Sequence, residues 1–292
     1  MKFDSKLIHA GWDSDADSEG SITVPIYKTT AYQFNSTEHA ASLFALKEFG
    51  NIYSRLGNPT VGALEARLTA LEDGAMSVAL SSGTSAVMYS LINIMSQGDN
   101  FVTANQLYGG TYTMFDNILP EYGIDSKKVD ITDLTAVENA IDEKTRAIYC
   151  ETITNPGLVV ADISALGEIA KSKGIPLIVD ATFTTSAICK PFDFGADIVV
   201  YSLTKWMSGH GRVIAGAVIE KGGFDWGNGN FPLYDKPDTS YGGMRWGHDL
   251  GDLSNVAYSL RLRTVPLRNL GASMSPETAF EVMSGLETLS LR

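Results

Sequence analysis

The sequence predicts an α/β protein: a mostly parallel sheet with helices on both faces. Short apolar runs alternate with amphipathic stretches from about residue 60 onward, the pattern of strands buried between helical layers. The chemically interesting residues also fall on the turns after those runs, the edge where open α/β sheets bind ligands.

In order, residues 1–59 are rich in polar, glycine and aromatic residues, with Val24-Pro25-Ile26-Tyr27 and Ile52-Tyr53-Ser54-Arg55 among them. They read as an extended N-terminal arm. From Thr60 onward Leu64, Leu68 and Leu71 recur at helical spacing, and Gly74 follows as a stop signal. Strands are expected at 77–80, 101–104, 147–150, 176–179, 198–201 and 213–219. Helices are expected at 85–95, 112–119, 134–141 and 163–173. Residues 222–247 hold seven glycines and six aromatics without periodicity. They form either a functional or mobile segment or a surface insertion. Helical character returns at 260–292, where Met274-Ser275-Pro276-Glu277 resembles a helix start. The expected division is an arm at 1–59, a ligand-binding domain at 60–265, and the start of a C-terminal domain at 266–292.

The composition excludes several functions. Hydrophobic residues make up 44% of the 292 positions, enough for a sizeable core. Asp and Glu outnumber Lys and Arg by 34 to 22, a net charge of −12. Such a surface repels nucleic-acid phosphates and anionic membranes. Two cysteines, Cys150 and Cys189, make no disulfide framework, and neither they nor the four histidines show metal-ligand spacing. The N-terminus lacks the apolar segment of a signal peptide, and no stretch approaches the ~18 apolar residues of a membrane span. A reducing cytoplasm is the expected location.

Four motifs carry chemistry. Ser81-Ser82-Gly83-Thr84-Ser85-Ala86 joins an expected strand to an expected helix. It is either a tight turn or an anion cradle, since small residues expose backbone amides at a helix N-terminus. Gln106-Leu107-Tyr108-Gly109-Gly110-Thr111 places an aromatic beside two glycines, as a core tyrosine or as a face for a planar ligand. Val179-Asp180-Ala181-Thr182 ends an apolar strand in a carboxylate. That acid needs a partner, which could be a helix terminus, a salt bridge or a protonated ring nitrogen. Tyr201-Ser202-Leu203-Thr204-Lys205-Trp206-Met207-Ser208-Gly209-His210-Gly211 is the most specific. Its lysine is flanked by hydroxyls and followed by glycines, which suits a phosphate and an aldehyde held together. An anion cradle, a stacking aromatic, a strand-end acid and a strand-end lysine jointly fit pyridoxal phosphate.

With these motifs the chain resembles the Cys/Met-metabolism family of pyridoxal-phosphate enzymes, from Leu7-Ile8-His9-Ala10-Gly11 to its last residue. The resemblance implies the aspartate-aminotransferase-like fold (fold type I). Within the family it is most similar to the O-acetylhomoserine sulfhydrylases. Asp180-Ala181-Thr182-Phe183-Thr184-Thr185 and Gly285-Leu286-Glu287-Thr288-Leu289-Ser290 look like that subgroup, and residues 238–247 sit where it carries an added loop. By resemblance, Lys205 carries pyridoxal 5'-phosphate and moves protons. Gly83, Thr84, Ser202 and Thr204 hold the phosphate. Asp180 pairs with the ring nitrogen, Tyr108 stacks on the ring and assists the leaving group, Asn155 contacts the phenolic oxygen, and Thr182 supports the cofactor. Tyr53 and Arg55 reach the phosphate in a neighbouring subunit, with Tyr53 also near the substrate. The implied assembly is a homo-oligomer, a dimer or a homotetramer.

The implied reaction belongs to trans-sulfuration and methionine biosynthesis: gamma-replacement on O-acetylhomoserine by sulfide or a thiol. The alternatives are a gamma-eliminating lyase of the methionine gamma-lyase type and a non-catalytic fragment or split-enzyme subunit. The chain departs from the family at Ser186, where proline is usual, and at Arg212, where a smaller residue is usual. Arg212 is left open as an anion contact, a surface residue or an obstacle. The family also continues past the position of Arg292 into a domain whose arginine clamps the substrate carboxylate. The C-terminal domain is therefore expected to be incomplete, with cofactor binding retained and turnover weak, because orientation supplies ~7 kcal/mol or more of barrier reduction.

Overall fold

The computed structural model describes residues 1–292, the side chain of Ala16 excepted. Seven strands form one sheet: β1 (Met76–Leu80), β2 (Asn100–Ala104), β3 (Asp125–Val129), β4 (Thr145–Glu151), β5 (Leu177–Asp180), β6 (Ile198–Tyr201) and β7 (Gly216–Glu220). Their order is β1-β7-β6-β5-β4-β2-β3. The pairs among β6, β5, β4, β2 and β3 are parallel, whereas β7 runs antiparallel to both β1 and β6. The six expected strands are present. The expected 213–219 strand starts late, because Ala215 is held by the Thr204 hydroxyl just before β7. The seventh, β3, was not expected. It is a polar edge strand, Asp-Ser-Lys-Lys-Val, paired on one side only.

The main helices are α1 (Phe3–His9), α2 (Pro59–Glu72), α3 (Gly83–Ile92), α4 (Leu134–Ala140), α5 (Ile163–Lys173), α6 (Ala257–Leu262) and α7 (Pro276–Leu286). Helix α2 starts on an Asn58 side chain that accepts from Thr60 N at 3.0 Å, with Pro59 next. It buries Leu64, Leu68 and Leu71 completely, as their spacing predicts. Its left-handed end is Asp73, φ 54°, one residue before the expected stop at Gly74. Helix α7 begins as its sequence predicts, with Ser275 accepting from Thr278 N at 3.2 Å and Pro276 in the first turn. The helix expected at 112–119 forms as a short α-helix, Gly109–Thr113, that runs into a π turn at Met114–Ile118.

Residues 1–59 contain α1 and a second helix, Thr37–Phe44. Helix α1 lies on α2, where Arg67 donates to the carbonyls of Ala10 (2.8 Å) and Leu7 (3.2 Å). The aromatic, glycine-rich segment at 222–247 runs along the surface and is pinned to the core by four of its rings. Trp226, Phe231, Tyr234 and Trp246 are fully or almost fully buried. The Trp226 ring stacks on Tyr234 and Tyr258 at centroid distances of 4.9 and 5.1 Å. These rings bury large apolar areas against one another, so they belong to the core while the residues between them face solvent wholly or in part. Among the described residues, no helix is long and apolar enough to cross a membrane.

Candidate active site

The C-terminal ends of β4, β5 and β6 and the N-terminus of α3 open on one cavity of about 680 Å³. Gly83, Thr84, Tyr108, Asn155, Asp180, Thr182, Ser202, Thr204 and Lys205 all line it. Eight residues from four separate motifs, and Asn155 expected from the resemblance, therefore meet in one place. Tyr53 and Arg55 are not among the lining residues. They stack on each other outside it, the Arg55 guanidinium 5.0 Å from the Tyr53 ring centre.

The anion end of the cavity is built by close packing. A Cβ at position 83 would stand 2.4 Å from Ser202 Cβ, and one at 216 would stand 2.1 Å from the Ser82 carbonyl oxygen. Only glycine lets α3 begin this close to the lysine loop. Ser82 caps the helix by accepting from Ser85 N at 3.0 Å. Gly83 and Thr84 come first in α3, where amide protons lack intrahelical partners, and the helix dipole favours an anion. Thr182 Oγ1 accepts from Ser202 N at 2.8 Å and ties the ends of β5 and β6 together. Thr204 donates its hydroxyl proton to the Ala215 carbonyl at 3.1 Å, whereas the Ser202 hydroxyl makes no such bond. Of the two expected phosphate hydroxyls, Ser202 is the freer donor.

Asp180 ends β5. Its carboxylate accepts from Thr182 N at 2.9 Å and from the Tyr149 hydroxyl at 3.3 Å. It opens in part on the cavity, while protein surrounds the rest. Burial raises its pKa, and the Thr182 and Tyr149 bonds oppose that rise. No lysine or arginine forms an ion pair with it among the described residues. A largely desolvated carboxylate facing a cavity without a cation suits a ligand that brings one, and a protonated pyridine ring does so. The free amides and hydroxyl suit the phosphate, and Lys205 lies on the same wall. The residues present thus fit pyridoxal phosphate.

The Tyr108 ring is half exposed and faces the cavity. A Cβ at Gly110 would come within 2.7 Å of its Cε1, so the following glycines make room for it. Three further residues escaped the sequence reading. Glu151, at the end of β4, accepts from Tyr108 N at 2.7 Å and from Asn155 N at 3.0 Å. Tyr149 supports Asp180 from below. Arg292 donates to the Trp206 carbonyl at 2.5 Å and braces the lysine loop. Glu151 had a readable signal, an acid closing an apolar run as Asp180 does. Arg212 is a surface residue, exposed and paired with Glu281 at 3.3 Å.

The family model for Cys/Met metabolism PLP-dependent enzymes matches residues 4–292. The chain belongs to this family. It is 44% identical over 297 residues to the O-acetyl-L-homoserine sulfhydrylase of Leptospira meyeri, covering all of this chain and 67% of that protein. It is also 44% identical to O-acetyl-L-homoserine sulfhydrylase 1 of Thermus thermophilus, covering 100% and 69%. A crystal structure from Campylobacter jejuni, described as an O-acetylhomoserine (thiol)-lyase with a pyridoxyl-lysine phosphate at its position 205, superposes with a TM-score of 0.95. It is 39% identical and is covered to 71%. Cystathionine gamma-lyase from Lactobacillus plantarum is further away, at TM-score 0.78 and 32% identity, with 65% of its chain covered. This family member therefore has the expected fold and spans about two thirds of its relatives' length. Its cofactor is that of a pyridoxal-phosphate-dependent family.

Proposed function

We propose that this chain carries out pyridoxal-phosphate-dependent gamma-replacement on O-acetylhomoserine, with sulfide or a thiol as donor, giving homocysteine or methionine and acetate. One observation carries the cofactor reading: a single cavity gathers a lysine, a cation-free carboxylate, an exposed aromatic ring and a bare helix N-terminus. The sulfhydrylase relatives, nearer than the lyase, support the reaction class.

Pyridoxal phosphate, when bound, supplies an aldehyde for amines and a ring that withdraws electrons from the substrate. The amides of Gly83 and Thr84 and the hydroxyl of Ser202 would bind its phosphate, with Thr204 beside them. Asp180 would hold the proton on the ring nitrogen, backed by Tyr149. Tyr108 would lie against the ring, Asn155 would meet its phenolic oxygen, and Thr182 would support it from the side of Asp180. Lys205 Nζ would be the amine that holds the cofactor and would then move protons at the α and β carbons of the amino acid. Tyr108 would assist departure of acetate from the γ carbon. Tyr53 and Arg55, outside their own cavity, would serve that of a second copy, in a dimer or tetramer. We read 1–59 as the arm, 60–265 as the cofactor domain and 266–292 as the start of a further domain. The free thiols Cys150 and Cys189 agree with a cytoplasmic location.

Because the chain spans only part of its relatives, cofactor trapping is the primary readout and turnover the second. Borohydride reduction with pyridoxal phosphate, followed by mass mapping, should mark Lys205 alone. O-acetylhomoserine and sulfide should then give homocysteine. Release of a keto acid and ammonia from methionine, without replacement, would reassign the reaction to the eliminating lyases. Absence of any adduct on Lys205 would remove the cofactor reading altogether.

A further inference from the structure

We infer that Glu151 is a positioning residue, whose one carboxylate holds in register the two loops that present Tyr108 and Asn155 to the cavity. This rests on the cofactor reading above for its purpose, though not for its geometry. Glu151 is 6% exposed, and its two oxygens take one backbone amide each, Tyr108 N at 2.7 Å and Asn155 N at 3.0 Å. Tyr108 begins the short helix Gly109–Thr113 after β2, and Asn155 lies in the turn after β4. One side chain thus hydrogen-bonds to both loops, while Gln106 of the first loop also packs against Gly157 in the second.

A carboxylate is a costly choice at this position. Glu151 pairs in register with Asp180 on the neighbouring strand, so two acids stand side by side at the sheet edge. Burial first, and then Asp180, push the Glu151 carboxyl up to about 7. A neutral side chain would avoid that repulsion. Glutamine, however, offers one oxygen acceptor, and its second polar atom is a donor. It can satisfy one of the two amides and must confront the other. A carboxylate offers an acceptor to each loop, so the repulsion is retained for the sake of the geometry.

The test compares wild type, Glu151→Gln and Glu151→Asp with two readouts. In cofactor-free protein, residue-resolved amide exchange at Tyr108 and Asn155 should accelerate in Glu151→Gln, by about tenfold at one of them at least. With pyridoxal phosphate added to saturation, the circular dichroism induced in the cofactor's visible band should weaken in Glu151→Gln, while the amount trapped on Lys205 stays near wild type. Glu151→Asp, which keeps two acceptors, should restore part of both signals, and it also serves if the glutamine variant does not fold. Unchanged exchange at both amides, or exchange that accelerates with a full-strength induced signal, would overturn the proposal. Failure of all three proteins to trap cofactor while exchange still accelerates would sink the cofactor reading and leave the loop clamp standing.

Discussion

Glu72 makes the most exposed prediction about stability, because it is a buried acid far from its ordinary state. It ends helix α2, is 0% exposed, and accepts a hydrogen bond from the Tyr201 hydroxyl. Its other oxygen and the nearby Ser186 hydroxyl have no hydrogen-bond partner among the described residues. Burial lifts its pKa from 4.5 to about 7, against the opposing pull of Tyr201 and Lys190 and with a push from Asp73. That gap corresponds to about 3 kcal/mol, an upper bound. The folded chain binds the proton more tightly than the unfolded chain. Between about pH 4.5 and 7 the native state therefore holds more protons. Stability from this group is greatest at the acid end of that window and falls as pH rises through it. Glu72→Gln keeps the shape and the acceptor for Tyr201, and it offers Ser186 a donor. Urea unfolding of the cofactor-free protein from pH 5 to pH 8 should show the variant near wild type at pH 5. By pH 8 it should be more stable by up to ~3 kcal/mol. Glu151 and Glu220, each raised to about 7, and Asp197, raised to about 6, add the same slope to both proteins and cancel in the comparison. A stability difference that stays constant across pH would refute the reasoning, since it would mean that Glu72 does not titrate in this window.

Two further substitutions test the frame around the site. Gly83→Ala should cut cofactor trapping on Lys205 at least tenfold and destabilise the fold by ~1–3 kcal/mol, because its Cβ would stand 2.4 Å from that of Ser202; wild-type trapping and an unchanged urea midpoint would disprove the close packing. Arg263 donates to Glu65 at 2.7 Å, to the Leu56 carbonyl at 2.7 Å and to the Ser77 carbonyl at 3.2 Å. Arg263→Ala leaves the largely buried Glu65 uncompensated, so equilibrium unfolding should show a loss of ~3 kcal/mol or more, and proteolysis should find the segment around Leu56 first; a loss under ~1 kcal/mol would show that solvent already screens the pair.

What could be read from the sequence follows from how local each signal is. Strands β1, β2, β4, β5 and β6 lie between helices, so each needs an apolar run, and the run can be seen without knowing its neighbours. Strand β3 is an edge strand of polar residues, and only its pairing with β2 makes it a strand. The aromatic segment from Phe224 to Trp246 has no period because its rings pack on one another and on Tyr258 rather than along one helix face. The site divides in the same way. Asp180 closes β5 and Lys205 follows β6 by four residues; each has ordinary explanations alone, and both were legible because a glycine turn, an aromatic, an acid and a lysine fit one ligand together. Glu151 closes its strand just as Asp180 does, yet one of its partners lies 43 residues away. Tyr149 looks like any core aromatic until β4 and β5 pair and its hydroxyl meets Asp180, 31 residues further on. The groups that would touch a cofactor therefore announce themselves in short motifs, because the ligand constrains each of them directly. The groups that aim those motifs depend on strand order, which no short stretch of sequence contains.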